Sequence, residues 1–414
     1  MKPSGIEWIG DIPDDWEVRR GKYTLDLLMR PIRDNDEIIT CFRDGQVTRR
    51  SNRREDGFTF ADKEIGYQGI LKGDLVIHGM DGFAGAIGIS DSDGKGSPVL
   101  NVCRPKNGSD TRYINYYLRT LALQNVFIAL STGIRERSCD LRWKKIAELL
   151  FTIPPLKTQQ KIADYLDEKC GEIDATIAKQ KEIIEKLKAY KQSLISETVT
   201  KGLDKSAPLK PSGIEWIGDI PDDWEVRKLL SIFKEHKDRN KNLEEQNLLS
   251  LSYGKIKRKD INNNDGLLPA SFETYNIVEN GDIVFRLTDL QNDKRSLRTG
   301  IVTQRGIITS AYVTIRPKIR LDSRFFHYLY HMYDICKIFY GMGDGVRQGM
   351  GFEDLKNIPT LIPPLKTQQK IADYLDSKCS QIDKYITEKQ NIIQKLDAYK
   401  KSLIFECVTG KHKI

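Results

Sequence analysis

Residues 2–19, KPSGIEWIGDIPDDWEVR, recur without a change at 210–227, so this chain of 414 residues is a tandem duplication. A second pair of copies begins PPLKTQQKIADYLD at Pro154 and at Pro363, and 32 of the 47 positions through Thr200 and Thr409 are identical. Each unit therefore runs in one order: leader, divergent region, Pro-Pro, long charged segment. Two units are too few for a solenoid, whose stacked repeats share a core. The expectation is a pseudo-dimer within one polypeptide, with an internal relation like that of a homodimer.

The long segments carry an apolar stripe at alternating steps of three and four. In the first it passes through Leu166, Ile173, Ile177, Ile184, Leu187 and Leu194, and in the second through Leu375, Ile382, Ile386, Ile393, Leu396 and Leu403. That spacing is the seam of a left-handed coiled coil, and two matching seams in one chain make each other the obvious partner. Gln180 and Lys389, with Lys191 and Lys400, interrupt the seam. Such residues cost stability and fix register and orientation. Residues 156–200 as one helix would reach roughly 68 Å at about 1.5 Å per residue. Gly171 costs about 1 kcal/mol there relative to Ala, so a bend is expected near Cys170 to Glu172. We expect the helices to pair antiparallel, which sets the globular regions at opposite ends of a spacer.

Between these repeats the divergent regions keep matching outlines. Gly73-Asp74-Leu75-Val76-Ile77 answers Gly281-Asp282-Ile283-Val284-Phe285, a turn entering a strand. Val102-Cys103-Arg104-Pro105-Lys106 answers Thr314-Ile315-Arg316-Pro317-Lys318, a strand ended by proline. RYINYYL from Arg112 answers RFFHYLY from Arg324, an aromatic helix that should face a core. The fold class is thus α+β: two globular α/β-mixed domains in tandem pseudo-two-fold repeat, joined by two long helices in an antiparallel coiled coil. The boundaries are 1–155 and 210–364 for the domains, 156–201 and 365–410 for the helices, and 202–209 for a linker. The leader, rich in turn formers around Trp8, Ile9, Ile12 and Trp16, should pin each domain to a helix.

No apolar run approaches the roughly 20 residues that cross a bilayer, and the first residues lack a signal-peptide pattern. Seven cysteines (41, 103, 139, 170, 336, 379 and 407) form no CxxC pair and read as thiols of a reducing cytoplasm. Catalytic motifs are missing one by one. There is no phosphate loop, no GxGxxG after a strand, and no Asn-Pro-Pro-aromatic motif of the kind that holds a target base. Asp14 and Glu17 crowd too closely for a nuclease site, and Arg19 stands where a lysine is needed. His327 and His331 lie four apart without a third ligand nearby, so no metal site is read there. We expect no catalytic residue and no cofactor bound by this chain.

What the divergent regions do carry is basic loops, in a chain of net charge +8. In the first, Arg43, Arg49, Arg50, Arg53 and Arg54 surround Gln46 and Asn52, and a second loop adds Arg135 and Arg137. In the second region Lys255, Lys257, Arg258 and Lys259 form one cluster. Arg286, Gln291, Asn292, Lys294, Arg295 and Arg298 form another, and Arg347 with Gln348 a third. Lys and Arg neutralise phosphates, while Arg on guanine and Asn or Gln on adenine are the usual bidentate readers. A shared scaffold with diverged loops is how two binding domains with different targets should look.

The leader IEWIGDIPDDWEVR, the helix start PPLKTQQKIADYLD and the endings AYKQSLISETVTKG and AYKKSLIFECVTGK resemble the DNA specificity subunit of type I restriction–modification systems, in order and twice over. The resemblance implies that each divergent region is a target recognition domain reading one half of an asymmetric, two-part sequence in double-stranded DNA. It implies that the paired helices measure the unspecified gap and dock two modification subunits, which methylate adenine with S-adenosylmethionine. Two restriction subunits would add translocation and cleavage driven by ATP with Mg, and the specificity subunit itself would catalyse nothing. A coiled-coil adaptor would explain the helices but not the paired, diverged domains. The two long helices then set a distance. Lengthening both by one heptad, with the seam kept, should change the gap tolerated in competition binding between duplexes and leave the half-sites unchanged; an unchanged gap preference would remove the measuring role.

Overall fold

The computed structural model describes residues 1–53, 65–129, 141–259, 271–288, 290, 297–341 and 349–414. Two compact units emerge that do not follow chain order: Met1–Lys181 with Gln390–Ile414, and Glu182–Lys389. Each unit holds one globular domain and part of both long helices.

In the first unit, strands β1 (Leu25–Leu28), β2 (Ile39–Cys41), β3 (Val47–Arg49), β4 (Leu75–His78), β5 (Ile87–Ile89) and β6 (Leu100–Pro105) precede helix α1 (Thr111–Leu123). A four-stranded antiparallel sheet runs in the order β1-β6-β4-β5, with β6 central and Cys103 set between Leu27 and Leu75. Residues Leu100 to Cys103 of β6 are all buried, as a strand covered on both faces requires, and Pro105 closes it at the end where no further ladder bond is needed. β2 and β3 form a separate hairpin that reaches β5 through a bridge between Val47 and Ser90. The long helix α2 (Leu156–Lys201) follows, continuous through Gly171. Gly171 does not interrupt it: a cost of about 1 kcal/mol is small beside the burial of the flanking Cys170 and Ile173.

The second unit repeats the plan with β7 (Phe233–Glu235), β8 (Leu249–Ser252), β9 (Lys255–Arg258), β10 (Ile283–Phe285), β11 (Thr299–Ile301), β12 (Val313–Pro317), α3 (Ser323–Ile335) and α4 (Leu365–Val408). Its sheet runs β7-β12-β10-β11, the same order, with Ile315 between Glu235 and Ile283. Fold class and sheet order thus agree between halves whose divergent sequences share little.

Within each unit the helix segments run antiparallel. In the first, Asp174 of α2 meets Lys400 of α4 at 2.6 Å, and Tyr165 stacks on His412. In the second, Lys191 of α2 meets Asp383 of α4 at 2.7 Å. The polar seam positions Lys191 and Lys400 are therefore paired, each with an aspartate on the opposite helix. Among the seam residues, Leu166, Ile173, Ile177, Ile184, Leu194, Leu375, Ile382 and Leu403 are buried, whereas Leu187, Ile386, Ile393 and Leu396 are half-buried.

Each core is closed by the leader and by the end of a long helix. In the first unit Ile6, Ile9, Ile12 and Trp16 pack with Tyr113, Tyr117 and Phe151 and with Leu403, Ile404, Cys407 and Val408. In the second, Ile214, Ile217, Ile220 and Trp224 pack with Phe325 and Tyr330 and with Leu194, Ile195 and Val199. The hydroxyls of Tyr113 and Thr152 donate to the Val408 carbonyl at 3.2 and 3.0 Å, which satisfies an orphan acceptor of the helix end. This explains why the identical leader and the near-identical helix endings travel together in the sequence.

The crossing of the helices predicts where damage spreads. Leu403→Ala should cost about 2–4 kcal/mol and loosen amide protection in the strand 100–105, far away in sequence, while the strand 313–317 stays protected. Leu194→Ala should do the reverse. Loss of protection in the other strand in either variant would overturn this assignment of the cores.

Candidate nucleic-acid interface

A repeated joint holds each globular domain on its long helix. Asp110 caps α1, accepting from the Arg112 and Tyr113 amides, and its own amide donates to Gln159 Oε1 at 2.9 Å. Gln159 also donates from Nε2 to the Pro154 carbonyl. Arg112 then reaches Asp110, Asp164 and Asp167, and Tyr116 donates to Asp167 at 2.8 Å. In the second unit Asp322, Gln368, Arg324, Asp373, Asp376 and Tyr328 make the same set. Hydrogen bonds donated to these carboxylates, to Asp110 and Asp322 above all, push the Arg112 and Arg324 guanidinium pKa values above their usual range. The repeated sequence TQQKIADYLD is thus largely a docking face for an Arg-x-x-x-Tyr helix. Four aspartates of the long helices, Asp164, Asp167, Asp373 and Asp376, thus bind arginine.

A second pair of matched motifs proves to be one interaction. Buried Asp74 accepts from Arg104 Nε at 2.8 Å and from Arg30, and buried Asp282 accepts from Arg316 Nε at 2.7 Å. The Gly-Asp turn and the Arg-Pro strand end are therefore tied to each other across the sheet, and the tie fixes the base of the loops beyond.

Those loops differ between units. In the first, the hairpin turn 42–46 lies on β5: Gly45 has φ +92°, and a Cβ there would meet the Arg119 guanidinium at 1.4 Å. Arg119, on α1, donates from Nη1 to the Gly85 and Ile87 carbonyls at 3.1 Å, and so props the β4–β5 loop from below. Leu141 donates its amide to the Gly79 carbonyl, so residues that follow 130–140 are anchored beside the same loop. A cleft of about 340 Å³ opens there between the hairpin and the β4–β5 loop, lined among others by Thr40, Arg43, Arg50, His78, Asp81 and Ser97.

In the second unit the prop is reversed. Arg298, fully buried, donates from Nη1 to the Arg286 and Thr288 carbonyls at 3.3 and 2.6 Å, and its own amide donates to Asp334 on α3. Our placement of Arg298 in a DNA-facing cluster is thereby corrected. It immediately precedes β11 and points inward, its guanidinium satisfying the Arg286 and Thr288 carbonyls. The signal was in the sequence: Asp334 lies among Phe325, Phe326, Leu329, Tyr330 and Tyr333, and a buried carboxylate demands a donor.

The remaining candidates divide. Arg43 pairs with Asp81 at 2.8 Å, Arg49 with Glu37 at 2.8 Å and Arg53 with Asp44 at 2.7 Å, where it also lies over the Phe42 ring. Asn52 donates to Thr48 and Arg50 to Thr40. These side chains are brought together on one hairpin, and acidic partners hold three of the arginines in defined positions. Lys257 and Arg258 are exposed on β9, Lys259 is half-buried after it, and Lys255 approaches Asp383 at 3.7 Å. Arg286 follows β10, half-buried. Arg54, Arg135, Arg137, Gln291, Asn292, Lys294, Arg295, Arg347 and Gln348 lie outside the described residues. Charge counting missed His78 and Asp81, since neither is basic at neutral pH. Among the described residues no cluster could hold a metal ion, and no helix is long and apolar enough to cross a membrane.

Comparison with known proteins finds one domain twice along the chain. The type I restriction modification DNA specificity domain matches residues 62–189 and 221–398. A Methanocaldococcus jannaschii protein assigned as the MjaX type I restriction enzyme specificity subunit is 25% identical over 98% of this chain and 96% of its own. The MjaVIII specificity subunit of that organism is 26% identical over 66% of this chain and 64% of its own, so the chain spans about two thirds of it. Among solved structures, a chain from work on assembly and conformational transition of a type I R-M system superposes with a TM-score of 0.70, at 14% identity, over 97% of this chain and 100% of that one. The HsdS subunit from Thermoanaerobacter tengcongensis gives 0.52, also at 14% identity, over 97% and 98%. At such identity these two likenesses concern the fold.

One difference between the units is titratable. His327 and His331 occupy the α3 positions that Asn115 and Arg119 hold on α1. Burial pushes their pKa values down to about 3 and about 4, helped by His331 in the first case and Lys191 in the second. A base whose folded pKa is lowered lets the unfolded chain take the proton first, so this stability is present above about pH 6.5 and is lost as pH falls toward 4. The second unit should lose on the order of 2 kcal/mol per imidazole by pH 5. The first unit has one lowered imidazole, His78, and should lose less. Amide exchange of each unit at pH 7 and 5 checks this, and a His327→Asn, His331→Gln variant should flatten the second unit's response. An equal slope in that variant would assign the acid sensitivity elsewhere.

Proposed function

The chain belongs to the family of type I restriction–modification DNA specificity subunits, and we propose that within such a complex it is the non-catalytic reader of a two-part, asymmetric DNA sequence. One observation carries this reading: the two units share sheet order, buried Asp–Arg tie and helix joint, yet present different chemistry at the loop end. A scaffold kept constant beneath differing loops supports one half-site per unit. The hairpin Arg43, Arg49, Arg50, Asn52 and Arg53 would serve the first. Lys255, Lys257, Arg258, Lys259 and Arg286 would serve the second, with the loop residues outside the described segments completing both.

In this reading the chain supplies no cofactor chemistry. Two modification subunits bring S-adenosylmethionine to adenine, and two restriction subunits bring ATP and Mg. Exposed faces of the long helices, including Tyr190 and Tyr399 at equivalent positions, offer amphipathic surface for them. An adaptor without DNA contact would have no use for two differing sets of charged loops on one scaffold.

Counterion release gives the test. Each phosphate neutralised adds about 0.9 to the slope of log affinity against log salt. The assembled complex on its cognate duplex should weaken steeply between about 50 and 200 mM salt, and Lys257→Ala with Arg258→Ala should reduce the slope by about two. A specific complex whose affinity is flat in salt would remove these loops from the interface.

A further inference from the structure

The cleft beside β4 contains a side-chain relay that neither overall charge nor the shared scaffold explains. His78, at the end of β4, accepts at Nδ1 from the Asp81 amide at 2.9 Å and the Met80 amide at 3.2 Å. With both bonds going to Nδ1, the neutral ring carries its proton at Nε2. Burial lowers the His78 pKa, which keeps the ring neutral near pH 7. The imidazole therefore acts as a rigid post for the β4–β5 loop. The post sets Asp81, and Asp81 Oδ1 accepts from Arg43 Nη2 at 2.8 Å across from the hairpin. Arg43 is thus exposed yet aimed: an arginine gripped by the carboxylate of a residue whose backbone amide is held by the His78 ring. Arg119 holds the far side of the same loop at Gly85 and Ile87.

Among the polar side chains that line the cleft around Arg43, groups able to donate outnumber carboxylates. His78 offers an Nε2–H and Arg50 lines the wall, with the Thr40 and Ser97 hydroxyls beside them. The lining holds one carboxylate, Asp81, and that is engaged by Arg43. Donors facing outward from a fixed fork select a base edge made of acceptors. In the major groove that edge is guanine, with O6 and N7 side by side; cytosine presents a donor, and adenine one of each. The second unit is built otherwise at this place. Its hairpin turns tightly through Tyr253 and Gly254, both at positive φ, as a two-residue turn requires, and the chain there has no residue matching Arg43.

Resting on the reading that this chain contacts DNA through its loop ends, we propose that Arg43 is a specificity-determining residue that reads a guanine of one half-site, with Asp81 and His78 as its positioning residues. The remaining hairpin arginines are assigned differently. Arg49 is tied to Glu37 at the hairpin's outer end and Arg53 is folded over Phe42, which suits contact with phosphates.

The experiment measures binding of the full chain, assembled with its modification subunits, to the cognate duplex and to every single-base variant of it. Arg43→Ala should lower cognate affinity about 5- to 150-fold and abolish discrimination at one guanine, leaving other positions unchanged. Replacing that guanine by 7-deazaguanine should weaken the unaltered protein and add no further loss in Arg43→Ala. Asp81→Ala should reduce discrimination at the same guanine while leaving affinity for unrelated DNA intact, and Asp81→Asn, which keeps an acceptor, should restore part of it. Arg49→Ala should weaken all sequences alike. If Arg43→Ala also weakens every sequence equally, Arg43 is a phosphate contact and the proposal is overturned. If instead the unaltered complex shows no sequence preference at all, it is the broader reading that fails.

Discussion

The structure depends on the grip of two arginines at the starts of the aromatic helices. Arg112 and Arg324 each bind the aspartate that caps their own helix and two more from the first turns of a long helix. Each of these ion pairs is half-exposed, and one alone would contribute little. Their strength lies in convergence: a planar guanidinium with several carboxylates in fixed directions, beside a buried glutamine that satisfies two backbone groups. Losing that glutamine amide would strand a buried donor and acceptor, at about 1–3 kcal/mol each. The joint fixes the angle at which each domain leaves its helix, and the loops inherit that angle.

From the joint follows the division of labour along the chain. Segments repeated nearly without change are those that build the joint and close the cores: the leader, the TQQKIADYLD start and the helix endings. Each unit borrows the end of the other repeat's long helix. Val408 near one terminus is held by Tyr113 and Thr152, and Val199 closes the other core. A duplicated chain that exchanges helix ends in this way ties the folding of each domain to the integrity of both repeats.

Much of this was legible in the sequence. The identical leaders announced the duplication, and the alternation of three and four from Leu166 to Leu194 announced the helix pair, whose antiparallel sense appears in the ion pairs of Lys191 with Asp383 and Lys400 with Asp174. The α+β plan followed from GDLVI and CRPK and their counterparts. What stayed hidden was which motif touched which, because ion pairs such as Asp74 with Arg104 span 30 residues without leaving a period. The loops were least legible. Arg298 and Arg286 look alike in a string of basic residues, yet one is sealed beneath the loop and the other follows a strand at its edge. Burial there is decided by the prop a loop needs, and only Asp334, a charge on an apolar helix face, hinted at it. His78 and Asp81 escaped because orientation, and not charge, gives them their part.

The central claim is that one scaffold, built twice, carries two independent readers. Exchange of residues 20–150 for the corresponding region of another family member tests it most directly, with methylated adenines sequenced across the genome of a host carrying the chimaera. The account predicts that one half of the methylated sequence changes to the donor's while the other half and the gap between them stay as they were. A change in both halves, or in neither, would contradict it.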